Sequence, residues 1–262
     1  MDILERIVID KRREVESKKR IMSIDALRKS PMIGRNTNSL SQSVQNGSGI
    51  IAEFKRRSPS KQVINHKSSV IDVVHQYEEA GASGISVLTD TMYFGGAIDD
   101  LLQARANLNI PLLRKEFIID SYQIVEAKAF GADAILLIAA VLSPEEVTDF
   151  ASLAHDLGME VLLEVHNELE LKSSDLSCVD LIGVNNRNLK TFSVDLETSK
   201  RLSRIIPKEK VSVSESGISD PRAILDLRNY GFKGFLIGEN FMKTEDPGAS
   251  AKEFIKKLNY ED

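Results

Sequence analysis

Short apolar segments alternate with amphipathic stretches along most of this chain. Each apolar segment has the length of a strand, and the stretches between them place apolar residues three or four positions apart, as helices do. The pattern predicts eight strands, over 50–55, 84–89, 111–115, 134–138, 160–165, 181–185, 210–215 and 234–238. The clearest helices are predicted over 69–79, 121–130, 144–157, 195–205 and 220–230. Regular alternation of this kind is typical of α/β proteins with a parallel sheet.

A weak internal repeat indicates how these units are arranged. Similar segments begin at Gly81, Gly131 and Gly231, and each runs into a predicted strand. Their spacing fits a strand–helix unit of about 25 residues that repeats along the chain. We therefore expect a single closed (β/α)8 barrel, the TIM barrel, over residues 49–262. The alternative is an open doubly wound sheet, which is disfavoured because the chain has neither Gly-x-Gly-x-x-Gly nor a Walker loop.

The segment before the repeat shows a different pattern. An apolar stripe predicts a helix within residues 1–30, through Ile3, Leu4, Ile7 and Val8. Basic clusters at 11–13 and 18–20 are predicted to be solvated faces of that helix. The polar, glycine-rich stretch 34–49 is predicted to be a linker. We expect one domain over 1–262, in which 1–48 is a helical extension and linker.

Composition narrows the classes of function. The chain of 262 residues is 42% hydrophobic and 28% charged, with a formal net charge of −5, which is typical of a globular protein. It has no basic surplus, which argues against nucleic-acid binding. A single cysteine, Cys178, rules out a disulfide within the chain, and no apolar run resembles a signal peptide or a membrane span. We expect a cytoplasmic protein, a monomer or a weak homodimer, without membrane association.

Polar side chains are predicted at the C-terminal ends of several strands, where TIM barrels carry their active sites. Side chains alternate along a strand, so residues two apart point the same way. On this basis one rim gathers Glu53 and Lys55 from strand 1, Lys115 from strand 3, Glu164 from strand 5, Asn185 and Arg187 from strand 6, and Glu215 from strand 7. The alternative is a structural ion-pair network, but charges spread over so many strands favour an active site.

Two glycine turns predict a phosphate site at the same rim. Ser216–Gly217 follows strand 7, and Gly238–Glu239 follows strand 8 before a possible short helix. TIM barrels often bind phosphate at these two positions through backbone N–H groups. The side chain of Glu239 is expected to point away from a bound phosphate. For Tyr93 and Phe94, packing within their loop and covering an aromatic substrate are equally open.

No metal or cofactor is predicted. The four histidines, His66, His75, His155 and His166, lack the spacing of metal ligands, and we expect them at surface or helix positions. Cys178 has no histidine close by in sequence, so we do not expect it to be a nucleophile.

Several longer segments together resemble one known family. They are AEFKRRSPS from residue 52, SVLTD from 86, LRKEF from 113, LEVH from 163, GVNNR from 183, SESG from 214 and LIGE from 236. In this order, and over essentially the whole chain, they resemble the indole-3-glycerol phosphate synthase family. The resemblance implies a cofactor-free lyase of tryptophan biosynthesis that converts 1-(2-carboxyphenylamino)-1-deoxyribulose 5-phosphate to indole-3-glycerol phosphate, carbon dioxide and water. It also implies N-terminal helices that pack over the barrel mouth.

The resemblance further implies a role for each candidate residue. Lys115 is the general acid of ring closure, and Lys55, Glu53 and Glu164 serve the later steps, with the choice of final base left open. Asn185 and Arg187 orient polar groups of the substrate. The other substrate contacts are Ser58, Phe94, Phe117, Glu215, Ser216 and Leu236, of which Phe94 and Phe117 line the aromatic pocket, and the phosphate contacts are Lys55, Gly217, Gly238 and Glu239.

Two other functions are compatible with the sequence. A related phosphate-binding barrel could be an isomerase or an aldolase that forms a Schiff base on Lys115. A barrel without catalytic activity could bind only a phosphorylated ligand or a partner protein. The intact set of Glu53, Lys55, Lys115 and Glu164 argues against that second alternative.

Overall fold

Eight parallel strands close into a barrel in their order along the chain, and β1 pairs with β8. The computed structural model describes residues 2–261, with side-chain surroundings for 2–258. The strands are β1 Ile50–Phe54, β2 Gly84–Leu88, β3 Leu112–Lys115, β4 Ala134–Ile138, β5 Glu160–Val165, β6 Leu181–Asn185, β7 Val211–Glu215 and β8 Gly234–Ile237. Each lies within the range predicted for it. The closed TIM barrel is confirmed, and the open doubly wound sheet is excluded.

Helices precede and surround the barrel. Before β1 lie α1 Ile3–Ile21, α2 Ile24–Leu27 and α3 Leu40–Asn46. The others are α4 Val70–Glu79, α5 Thr91–Phe94, α6 Ile98–Ala106, α7 Ser121–Ala129, α8 Pro144–Asp156, α9 Glu168–Ser173, α10 Glu197–Leu202, α11 Pro221–Asn229, α12 Glu239–Met242 and α13 Pro247–Glu261. All five predicted helices are present, although α10 is shorter than the predicted 195–205. Within residues 2–261, no helix has both the length and the apolar character needed to cross a membrane.

Alternation along the strands divides the core in two. Outward-facing residues such as Ile50 and Phe54 pack against the helices in the larger apolar cluster. Inward-facing residues such as Ile51 and Leu113 form a second cluster inside the barrel. Glu53 follows Ile51 on the same side of β1, so the barrel interior changes from apolar to polar toward the C-terminal ends of the strands.

The N-terminal end of the barrel is closed by α3, which lies in the stretch predicted to be a linker. That prediction was wrong for residues 40–46. Leu40 and Val44 are buried in the cluster inside the barrel, where they face Gly84 and Gly234, the first residues of β2 and β8. Two apolar residues four positions apart form one face of a helical turn. The serines and asparagines around them hid this short helix from the sequence pattern.

The C-terminal end of the barrel is partly covered by α1. The first residues of this helix face the cavity described below, through Ile3, Leu4 and Ile7. The prediction of a solvated basic face was wrong for Lys11, whose side chain is 2% exposed. Its Nζ lies 2.8 Å from Asp90 Oδ2 and 3.0 Å from Glu116 Oε1, which follow β2 and β3. These carboxylates make the buried lysine tolerable and fix α1 to the barrel.

Candidate active site

A cavity of about 380 Å3 opens at the C-terminal end of the barrel. Most residues proposed from the sequence line it: Glu53, Lys55, Ser58, Phe94, Lys115, Phe117, Glu164, Asn185, Arg187, Ser216, Gly217, Leu236, Gly238 and Glu239. Glu215 lies just behind these residues, where it is buried and contacts Lys115. The residues that strand alternation places on one rim therefore surround one cavity.

Lys115 lies between two glutamates at the floor of the cavity. Its Nζ is 3.2 Å from Glu164 Oε2 and makes a shorter contact with Glu215 Oε2. The three side chains come from β3, β5 and β7, and side chains from alternate strands of a TIM barrel form a common layer. Their exposed fractions are only 12%, 6% and 2%, in the order Lys115, Glu164 and Glu215. The ion pairs offset the cost of removing these charges from water.

The two glutamates differ in protonation although they share Lys115. Burial raises the pKa of Glu215 to about 7, because Lys115 offsets it only in part and the charge of Glu164 adds to it. Burial also opposes ionisation of Glu164, but Lys115, His166 and a hydrogen bond from Asn185 outweigh it and lower the pKa. For Lys115, burial favours the neutral amine, yet the carboxylates outweigh this and hold its pKa above the ordinary value. At neutral pH the cluster contains an ammonium group, an ionised Glu164 and a titrating Glu215.

A second lysine–glutamate pair lies beside this cluster, at the end of β1. Lys55 Nζ is 2.7 Å from Glu53 Oε1, and the two side chains are 17% and 4% exposed. A Cβ atom on Gly238 would lie 2.5 Å from the same Glu53 oxygen. Glycine at the end of β8 thus leaves room for the carboxylate. The charge of Glu53 also raises the pKa of Lys115, so the two pairs form one electrostatic unit.

Polar groups at the end of β6 connect the floor of the cavity to its rim. Asn185 Nδ2 donates to Glu164 Oε1 at 3.2 Å, and Asn185 Oδ1 accepts the backbone N–H of Arg187 at 3.0 Å. The Arg187 guanidinium donates to the carbonyl of Phe192 at 3.2 Å and lies 4.0 Å from Glu239 Oε2. Arg187 is held at the rim, where its charge is available to an anionic ligand.

Two phenylalanines form the aromatic wall of the cavity. The rings of Phe94 and Phe117 are 5.9 Å apart between centroids and tilted by 44°. Phe94 ends α5, whose first turn is capped by Asp90 Oδ1 accepting from the backbone N–H groups of Tyr93 and Phe94. Tyr93 turns away and donates its hydroxyl to Asp10 of α1 at 2.6 Å. Of the two loop aromatics, Phe94 lines the cavity, and Tyr93 ties the loop to the N-terminal helix.

The glycine turns after β7 and β8 form the wall near β1. Ser216 and Gly217 both adopt left-handed backbone angles, with φ of 67° and 82°. Gly238 precedes α12, and the first N–H groups of a helix have no partner within it. The Glu239 carboxylate reaches toward Lys61 Nζ, 3.3 Å away in the loop after β1. Backbone donors from two neighbouring strand ends are thus available at one wall.

Sequence reasoning missed several residues around the cavity. The placement of all histidines at surface or helix positions was wrong for His166, whose side chain is 13% exposed and lies 3.4 Å from Glu164. Its position two residues after Glu164 was the available signal, because such residues share a face. Ser60 and Phe192 line the cavity from loops that carry no comparable signal. Among the described residues, no group of three or more His, Cys, Asp or Glu side chains is arranged to hold a metal ion.

An eight-stranded parallel barrel with lysine–carboxylate pairs and glycine turns at the C-terminal ends of its strands defines a TIM-barrel enzyme. Within that class, the family can be named. The model of the family described as indole-3-glycerol phosphate synthase matches residues 4–254, and the chain belongs to this family.

Individual relatives agree with this assignment. An indole-3-glycerol phosphate synthase from Bacteroides thetaiotaomicron is 48% identical, over 98% of this chain and 99% of the relative. One from Caldanaerobacter subterraneus subsp. tengcongensis is 43% identical, over 98% of each chain. A chain of the tryptophan synthase complex from Pyrococcus furiosus has a TM-score of 0.60 at 16% identity, over 82% of this chain and 98% of that one. At that identity, the likeness supports the barrel fold alone.

Proposed function

We infer that this chain converts 1-(2-carboxyphenylamino)-1-deoxyribulose 5-phosphate to indole-3-glycerol phosphate, carbon dioxide and water. Family membership supplies the reaction, which is a carboxy-lyase step of tryptophan biosynthesis. The observation that carries the proposal is the placement of Lys115 between Glu164 and Glu215, on the floor of a cavity with one aromatic wall and one wall of glycine turns.

The shape of the cavity suggests how the substrate binds. The aromatic ring packs against Phe94 and Phe117, and its carboxylate is oriented by Arg187. The phosphate lies at the opposite wall, against backbone N–H groups of Gly217, Gly238 and Glu239 and the ammonium group of Lys55. The remaining contacts with the substrate come from Ser58, Asn185, Ser216 and Leu236. In this arrangement the ketone carbon lies over Lys115.

Ring closure is the first chemical step. The ring carbon that bears the carboxylate attacks the ketone carbon, and negative charge develops on the ketone oxygen. Lys115 donates a proton to this oxygen, which becomes a hydroxyl group. The neighbouring carboxylates keep Lys115 protonated in the free enzyme. A preorganised buried cation beside a developing oxyanion lowers the barrier even before the proton is transferred.

Decarboxylation and dehydration follow. Carbon dioxide leaves without its bonding electrons, which restores the aromatic ring. Lys55, paired with Glu53, donates the proton with which the hydroxyl group leaves as water. Glu164 removes a proton from the methylene carbon next to the nitrogen, which completes the indole. We assign the base role to Glu164 because its pKa is lowered, so it is ionised at neutral pH.

An aldolase reaction through a Schiff base is less compatible with this site. A Schiff-base lysine must attack as the neutral amine, whereas two carboxylates hold Lys115 as an ammonium group. Borohydride treatment in the presence of substrate is expected to leave Lys115 unmodified. Covalent trapping of the substrate on Lys115 would favour the aldolase.

The test is indole formation from the aminodeoxyribulose phosphate, followed by fluorescence without added metal or cofactor. We expect product with the unaltered chain, and loss of roughly three orders of magnitude or more in kcat for Lys115→Ala. Lys172→Ala, an exposed lysine of α9 paired with Glu168, is the control and should retain full activity. Substrate binding without product would instead support a barrel that only binds its ligand.

The proposal extends to the organisation of the chain. We propose that residues 1–262 form one domain in which 1–48 completes the barrel, because α1 contributes to the cavity wall and α3 closes the opposite end. A cytoplasmic location, and a monomer or weak homodimer, stay predictions from the sequence.

A further inference from the structure

His166 follows β5, and its ring lies between two carboxylates. Nδ1 is 3.2 Å from Glu170 Oε2 of α9, and Nε2 is 3.4 Å from Glu164 Oε1 at the cavity floor. Nε2 is fully buried and makes no hydrogen bond within the described residues, so its contact with Glu164 is an ion pair. Glu164, the carboxylate in ion-pair contact with Nε2, also contacts Lys115.

Glu170 holds the ring in this orientation. Its Oε2 accepts the backbone N–H of His166 at 2.7 Å, and its Oε1 accepts Asn167 Nδ2 at 2.6 Å. Asn167 in turn caps α9 by accepting the backbone N–H of Glu170 at 3.0 Å. A carboxylate fixed by these contacts accepts a hydrogen bond that Nδ1–H donates. A second ring proton, on Nε2, places a positive charge 3.4 Å from Glu164 Oε1.

We infer that His166 is a positioning residue of the active site, which acts through Glu164 by holding that carboxylate ionised and turned toward Lys115. The effect expected on turnover rests on the function proposed above, whereas the coupling between His166 and Glu164 does not. Lys115 and His166 thus approach Glu164 from two sides, with Asn185 as a third contact.

The charges around the ring support an imidazolium. The carboxylates that face it are Glu170 from α9, Glu164 from β5 and Glu215 from β7. Burial lowers the pKa of His166, but the hydrogen bond to Glu170 and these negative charges outweigh it and raise the pKa above 6.5. The charged form therefore persists to higher pH than in an ordinary imidazole and is lost as the pH rises further. Conversely, the charge of His166 contributes to the lowered pKa of Glu164.

The kinetic test is His166→Gln, which keeps a hydrogen-bond donor but removes the charge. Without that charge the pKa of Glu164 rises, so the acidic limb of kcat/KM should move up by about one pH unit, with about a tenfold loss below the limb. His75→Gln is the control, because His75 forms an exposed pair with Glu79 at 3.5 Å, and its profile should match the unaltered chain. An unshifted limb in His166→Gln would overturn the inference.

Glu170→Gln provides a second variant in case His166→Gln does not fold. It removes a negative charge from Nδ1 and should move the acidic limb in the same direction by a smaller amount. A merely structural role for Glu170 would lower kcat at every pH without moving the limb, and this result would also contradict the inference.

A titration by NMR separates this inference from the proposed function, because it needs no turnover. The Cε1–H resonances of His66, His75, His155 and His166 are followed against pH, and the His166 signal is identified by its loss in His166→Gln. We expect His166 to titrate above 6.5, and to titrate lower in Glu164→Gln while His75 is unchanged. Equal titration of His166 in both proteins would overturn the inference. The expected shift in a protein that forms no indole would support the coupling and contradict the proposed function.

Discussion

Two buried lysines with carboxylate partners lie near the same end of the barrel, and they differ in how completely those partners are satisfied. Around Lys11, Asp90 also accepts two backbone N–H groups of α5, and Glu116 accepts the hydroxyl of Thr89 at 2.8 Å and the backbone N–H of Phe117 at 2.8 Å. Around Lys115, Glu215 receives one ion pair, and within the described residues no donor reaches its buried Oε1.

The difference indicates what each cluster is for. A saturated cluster holds its charges in fixed positions, which suits the attachment of α1 to the barrel. An undersatisfied cluster at a cavity leaves groups that can exchange protons with a ligand, and perturbed carboxylates of this kind are typical of active sites. Burial of a lysine among carboxylates does not by itself identify an active site. Access to the cavity and an incomplete set of partners distinguish Lys115 from Lys11.

The largest expected effect separates the two lysines by catalysis. Lys115→Met should lower kcat by roughly a thousandfold or more, because it removes both the proton donor and the cation beside the developing oxyanion. Lys11→Met should leave kcat within about tenfold of the unaltered chain, since Lys11 contacts no substrate in our proposal. Steady-state kinetics by indole fluorescence measure both values. Equal losses of kcat in the two variants would remove the functional distinction.

The same pair of variants should rank in the opposite order for stability. Lys11→Met removes the buried cation that Asp90, Glu116 and Glu14 share, and we expect a loss of about 3 kcal/mol in the free energy of unfolding. Lys115→Met should cost less, because Glu215 can bind a proton and the cavity admits water. Chemical denaturation at pH 7 gives both values. Lys11→Met should also raise KM, because α1 forms part of the cavity wall. Unchanged stability and KM would contradict the attachment of α1 to the barrel by Lys11.

The pH dependence of stability tests the carboxyl group of Glu215 directly. The pKa of Glu215 rises from 4.5 to about 7 on folding. The folded state then binds this proton more tightly, so its contribution to stability is complete below pH 4.5 and is lost as the pH rises through 7. Relative to Glu215→Gln, the unaltered chain should therefore lose roughly 3 kcal/mol of stability between pH 4.5 and pH 8.

Glu126 is the matched control for that measurement. Burial opposes its ionisation, but Arg114 and Lys18 outweigh burial and lower its pKa. Its contribution to stability is present above pH 4.5 and is lost on acidification. Glu126→Gln should thus change the pH dependence in the opposite direction to Glu215→Gln. Unfolding curves at several pH values would refute our account of Glu215 if both variants shifted the dependence the same way.

The periodicity of side chains along each strand decides which residues of the site can be predicted from the sequence. Side chains two positions apart on a strand share a face. Lys115 therefore lies on the side of Leu113, and Glu164 on the side of Leu162, which is enough to predict both charged groups at one rim. The same rule would place His166 on the side of Glu164. Because β5 ends at Val165, the rule is not applied to a residue beyond the strand, and His166 is predicted at a surface or helix position.

Long-range partners set the limit of prediction. Lys11 lies in a basic stretch of a helix, and nothing nearby in sequence shows that Asp90 and Glu116 will meet it. The contrast between Glu164 and Glu215 has the same origin. Both are glutamates at strand ends, and their protonation differs because His166 and Asn185 contact Glu164, whereas no donor within the described residues reaches Glu215 Oε1. Periodicity places a group on a face, but the number of its partners depends on how distant loops pack.

The smallest effect tests whether saturation stabilises the Lys11 cluster. Thr89 is buried, donates to Glu116 Oε2 at 2.8 Å and accepts from Arg114 Nε at 3.1 Å. Thr89→Val keeps the shape of the side chain but removes one hydrogen bond from Glu116 and one from Arg114. We expect a loss of about 1 kcal/mol in the free energy of unfolding and an unchanged kcat. Ser86→Ala, on β2 just before Thr89, is the control. The buried Ser86 hydroxyl has no hydrogen-bond partner among the described residues, so its removal should be close to neutral. Equal losses of stability in the two variants would mean that the hydrogen bonds of Thr89 contribute nothing measurable. The number of hydrogen-bond partners would then not explain the difference between Lys11 and Lys115.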